Sequence, residues 1–69
     1  MKISARNILE GKIVDVHKGA TIANVKIDVG GGIVLTATIT NEAVDSLGLA
    51  AGKDAFAVVK ASDVMVGVA

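Results

Sequence analysis

Residues 21–40 read TIANVKIDVGGGIVLTATIT, a run whose alternation and glycines point to paired strands. In its first half the odd positions Ala23, Val25, Ile27 and Val29 are apolar, while Asn24, Lys26 and Asp28 occupy the even ones. A period of two with one apolar and one polar row belongs to a strand with one buried and one wet face. Gly30, Gly31 and Gly32 interrupt it, and Ile33, Leu35, Ala37 and Ile39 restart an apolar row opposite Val34, Thr36, Thr38 and Thr40. The pattern predicts a hairpin closed by a glycine loop.

Working outward, Gly11 to Val16 predicts an earlier strand that reaches its turn at Lys18-Gly19. Past Thr40 the pattern changes. Thr40 reads as a cap, Asn41 to Leu47 as a short helix and Gly48 as its terminator. Leu49 to Lys53 makes a loop, and Asp54 to Lys60 returns to strand, with Phe56, Val58 and Lys60 on one face, expected to be the inner one, and Ala55, Ala57 and Val59 on the other. The tail Val64 to Ala69 reads as a short edge strand. Roughly five short strands with one helix before the last long strand predict an all-β domain, a small OB-type Greek-key barrel covering residues 1–69.

Composition narrows the function classes. The 69 residues carry seven basic and seven acidic side chains, one histidine, no cysteine, no proline and one aromatic residue, Phe56. A chain this short buries only about 60% of the surface its unfolded form exposes, and without cysteine it has no disulfide to compensate. With 52% hydrophobic residues and a mean hydropathy of +0.65, it is expected to form a homo-oligomer. The longest charge-free stretch, Val29 to Asn41, is 13 residues and holds three glycines, well short of the roughly 20 apolar residues of a membrane span. Glu10 and Lys12 interrupt any secretory signal core, so a cytoplasmic protein without membrane contact is expected. Neutral charge and a single aromatic argue against nucleic acid, whose single-strand binders combine basic grooves with several stacking platforms.

No constellation for catalysis stands out. His17 and Asp15 are too few for a zinc site, and His17 reads as a surface histidine near a turn. The run Gly30 to Gly32 lacks the Lys-Ser or Lys-Thr of a phosphate loop and leads into a strand. What remains is a set of hydrogen-bond donors. If residues 1–7 form a strand, Lys2, Ser4 and Arg6 share a face, either a solvated edge or an anion site. Thr40 caps a helix whose third position is Ala43, not the Glu or Gln of a capping box. It is an ordinary N-cap or, with free backbone N–H groups beside it, an anion cradle opposed by Glu42. Lys60, expected to follow Phe56 and Val58 on the inner face, either snorkels to water or meets an anion, with Asp63 as a possible internal partner.

Ser4-Ala5-Arg6-Asn7, the passage Thr38 to Ala43, Leu47-Gly48-Leu49 and the run Val58-Val59-Lys60-Ala61-Ser62-Asp63-Val64-Met65-Val66-Gly67 together resemble the Mop or molbindin family over essentially the whole chain. The resemblance implies one OB-type domain that binds molybdate and tungstate in the cytoplasm, for molybdenum storage and homeostasis. It also implies a hexamer, a trimer of dimers, with oxyanion sites between subunits. Related domains are fused to molybdate-sensing regulators and transporter ATPases, but no helix-turn-helix or P-loop occurs in this sequence. The family's ligand groups fall on Ser4 and Arg6, on Lys60 with the backbone of Ala61, and on Thr40 with the backbone of Ala43. A second class of site falls on the turn His17-Lys18-Gly19-Ala20. Some relatives offer a hydroxyl where this chain has Ala61, so here its backbone or the nearby Ser62 must donate.

The expected ligand is thus an inorganic oxyanion, with no organic cofactor, no side chain coordinating a metal directly and no catalytic residue. Molybdate near neutral pH is a dianion that offers acceptors and no proton, which suits a site of N–H, hydroxyl, ammonium and guanidinium donors with no free carboxylate. Phosphate carries a proton that such a site cannot accept, whereas sulfate is excluded only by cavity size. The readings from other classes are an OB-type nucleic-acid-binding module and a purely structural oligomerisation module.

Overall fold

The computed structural model describes residues 1–69. Four strands, β1 (Asn7–Lys18), β2 (Ile22–Gly30), β3 (Ile33–Thr40) and β4 (Asp54–Val59), are all antiparallel, and one helix, α1 (Asn41–Leu47), joins β3 to β4. The spatial order β3-β2-β1-β4 is that of a Greek key, in which three hairpin-connected strands are followed by a fourth that returns to lie beside the first. A single 3₁₀ turn, Ala61–Asp63, follows β4.

The hairpin of residues 21–40 forms as the alternation requires. Ala23, Val25 and Ile27 are buried and Val29 is half-buried, while Leu35, Ala37 and Ile39 pack against them from β3. At the turn Gly30, Gly31 and Gly32 all take positive φ, between 63° and 94°, and the carboxylate of Asp28 accepts the N–H of Gly30 at 2.8 Å. An L side chain at these positions would be strained, which is why three glycines stand there.

β1 is longer than the segment Gly11 to Val16 indicates, because its first half, Asn7 to Lys12, pairs with β4 and its second half with β2. The register shifts between Ile13 and Asp15, so Ile13 points in, Val14 and Asp15 stay exposed and Val16 turns back toward the core. A bulge of this kind hides a strand from a strict period-two reading. Just before it, β1 and β2 approach so closely that a Cβ on Gly11 would collide with the carbonyl oxygen of Asp28 and lie 2.9 Å from Ile27 Cγ2. Gly11→Ala is therefore expected to destabilise the fold by about 1–3 kcal/mol, the usual cost of overpacking, read as a lowered urea midpoint.

Three expectations need correction. Residues 1–6 carry no strand, since β1 starts at Asn7. The tail Val64 to Ala69 forms no strand either, so the sheet has four strands rather than about five. On β4 the inner face carries the small residues Ala55, Ala57 and Val59, while Phe56 and Val58 are 53% and 40% exposed. Size suggested the opposite face, but the space against Ile13, Val25 and Val44 admits alanine. Lys60 lies just past the end of β4 and is exposed, in keeping with an ammonium that reaches water from the strand end.

The core is correspondingly small: Ile13, Ala23, Val25, Ile27, Val44 and Ala57. β3 and β4 flank an apolar trough in which thirteen of fourteen lining residues are hydrophobic. Outside it, Ile3, Ile8, Val64, Met65, Val66 and Val68 stand 41–96% exposed, an apolar surface beyond what an isolated chain of this size normally shows to water. No helix is long and apolar enough to cross a membrane.

Candidate functional site

Two regions gather the donors. The first is a concavity formed where the segment before β1 meets the turn after β4, lined by Ser4, Arg6, Lys60, Ala61, Ser62 and Asp63 together with Ile3, Ala5 and Val58. The pairing of Asn7 with Val59 brings the two segments side by side, so residues more than fifty positions apart in sequence share one surface. Ser4, Arg6, Lys60 and Ala61 thus come together even though residues 1–6 are not a strand; Lys2 does not line this concavity. The chain's two ion pairs are Lys12–Asp54 and Lys18–Asp45, so neither Arg6 nor Lys60 is neutralised by a salt bridge; Asp63 does not pair with Lys60, and the lining therefore includes an unpaired acidic residue where a donor-only set was expected.

The second region is the start of α1. Thr40 is the N-cap in extended backbone, and its hydroxyl oxygen accepts the N–H of Ala43 at 3.0 Å. That bond commits the Ala43 N–H to the cap but leaves the Thr40 hydroxyl hydrogen free to donate outward, since a hydroxyl accepts and donates at once. Thr40→Ala is expected to cost about 0.5–2 kcal/mol through loss of the cap, measured by thermal unfolding. Thr40 and Ala43 do not line the concavity of Arg6 and Lys60. A single chain therefore presents the two halves of the donor set apart.

The turn His17-Lys18-Gly19-Ala20 lies against the same helix. Asn41 donates its side-chain N–H to Gly19 O at 2.9 Å and its backbone N–H to Thr21 O at 2.8 Å, and Lys18 pairs with Asp45. Gly19 spends its own N–H on Ile22 O at 2.8 Å. Most of the turn's polar groups are thus used internally, while His17 and Ala20 remain exposed. The sequence reading did not single out Asn41, whose clamp role shows only once the turn and the helix are adjacent. No group of three or more His, Cys, Asp or Glu side chains is arranged to hold a metal ion.

Comparison with known proteins agrees with this architecture. The TOBE domain family model matches residues 3–66. A probable molybdenum-pterin-binding protein of Haemophilus influenzae is 54% identical over 68 residues, covering 99% of both chains. Among solved structures, a molybdate-binding protein from Sporomusa ovata superposes with a TM-score of 0.91 at 38% identity, covering 99% of this chain and all of that one. The cytoplasmic molybdate-binding protein ModG, crystallised with molybdate bound, superposes with a TM-score of 0.94 at 45% identity, covering all of this chain and 49% of that longer one. These neighbours share the mostly-β, OB-type fold. The chain belongs to the TOBE-domain family and, within it, groups with the molybdenum-pterin-binding Mop proteins.

Proposed function

We propose that this protein binds molybdate and tungstate as free tetrahedral oxyanions and serves molybdenum storage and homeostasis in the cytoplasm, without catalysing a reaction. The observation that carries the reading is the concavity in which Ser4, Arg6 and Lys60 meet with both cations free of salt bridges. A dianion that accepts everywhere and donates nowhere matches such a set, with Ala61 supplying its backbone and Ser62 a further hydroxyl. The molybdate named for the Sporomusa ovata neighbour and bound to ModG supports the same ligand class.

The Thr40 hydroxyl completes the set from another copy, held in place by the Ala43 N–H that its oxygen accepts. The separation of the two donor regions within one chain supports a site between subunits, and the exposed apolar tail supports an assembly to hold it, a hexamer built as a trimer of dimers. A weaker second site falls on His17, Lys18, Gly19 and Ala20. The apolar trough between β3 and β4 has almost no polar lining and is unsuited to an anion. A calorimetric titration of the sized protein with molybdate, sulfate and phosphate tests the reading. Strong heat with molybdate and little with sulfate is expected, and a folded assembly that gives no heat with molybdate would sink it.

A further inference from the structure

The concavity that gathers Ser4, Arg6 and Lys60 is also lined by one acidic residue, Asp63. It has no structural task within the chain: its side chain accepts no hydrogen bond and joins neither ion pair. Its backbone is nonetheless held in place. The Asp63 N–H donates to Lys60 O at 2.9 Å and the Val64 N–H to Ala61 O at 3.3 Å, so the 3₁₀ turn keeps Asp63 three residues after Lys60 on the same surface.

In a site for an unprotonated dianion an acceptor has nothing to accept. Its charge acts at a distance instead, opposing a ligand of charge −2 and offsetting part of the attraction that Arg6 and Lys60 supply. A store must also release its ligand, and a site with two cations and no opposing charge would hold a dianion more tightly. We infer that Asp63 sets the affinity of this site, weakening the hold on the oxyanion so that it dissociates readily. The inference rests on the concavity being the oxyanion site.

The test compares the whole assembled protein with its Asp63→Asn and Asp63→Glu variants, titrated with sodium molybdate and sodium tungstate at low and moderate ionic strength. Asp63→Asn is expected to bind both anions about 3–10-fold more tightly, because removing one opposing charge from the lining acts equally on any dianion. Its dissociation slows by a similar factor, and the gain shrinks as salt is added. Asp63→Glu keeps the charge and should keep the affinity near the parent value. If the parent binds molybdate and Asp63→Asn binds no tighter, the role of Asp63 is overturned while the site stands. If Asp63→Asn instead loses both affinity and melting temperature, Asp63 holds the turn and the inference again fails. If the parent binds no molybdate, the oxyanion site itself is wrong and this inference falls with it.

Discussion

Lys60→Ala combined with Arg6→Ala is expected to leave a folded assembly that takes up no measurable molybdate. A hydrogen bond to a charged group contributes about 1.5–3 kcal/mol, so losing two amounts to roughly 3–6 kcal/mol, a fall in affinity of about 100- to 10,000-fold. Each single substitution should cost about 10- to 100-fold by the same arithmetic. Folding should survive, because both side chains are exposed, neither forms an ion pair and neither touches the six-residue core. Lys12→Ala supplies the control for charge alone. It removes a cation whose partner Asp54 is exposed on the surface, and a pair of that kind contributes little to stability. Calorimetry of the four variants at matched salt decides the matter. Unchanged molybdate affinity in the Arg6 and Lys60 double variant would end the site assignment, and equal loss in Lys12→Ala would reduce it to general electrostatics.

How far the sequence carried this reading differs between elements. The hairpin of residues 21–40 and the helix with its Thr40 cap were fully legible, because period-two alternation and capping chemistry are local signals. β1 was legible only in part, since its bulge at Val14 breaks the alternation and its first half owes its strand state to β4. The inner face of β4 was misassigned because hydrophobic size is a poor guide where the available space fits alanine. For the site, Ser4, Arg6 and Lys60 were found as donors lacking acceptors, but their meeting depends on the pairing of Asn7 with Val59, a contact that no local pattern encodes. Lys60 stands out in the sequence as an ammonium that must reach water from the strand end or meet an anion, and it is exposed just past the end of β4, at the edge of the concavity. Asp63 was noticed as a possible partner of Lys60 and instead stands unpaired in the same concavity.

Val66→Asp with Val68→Asp should break the assembly and take oxyanion binding with it. Val66 and Val68 are 92% and 96% exposed and contribute nothing to the single-chain core, so burial within the chain gives no reason for them to be apolar. Burial of each valine against another copy stabilises by about 1.5–3 kcal/mol, and placing carboxylates there adds a desolvation cost, enough to dissociate an interface of ordinary strength. The fold itself should persist, because β1 to β4 and α1 are untouched. Light scattering is then expected to show a smaller species with an unchanged circular dichroism spectrum. Molybdate affinity should fall at least about tenfold although Ser4, Arg6 and Lys60 are intact, since losing even one hydrogen bond from Thr40 of a second copy to a charged ligand accounts for that much. Dissociation without loss of affinity would place the whole site within one chain, and binding would then depend on the concavity alone.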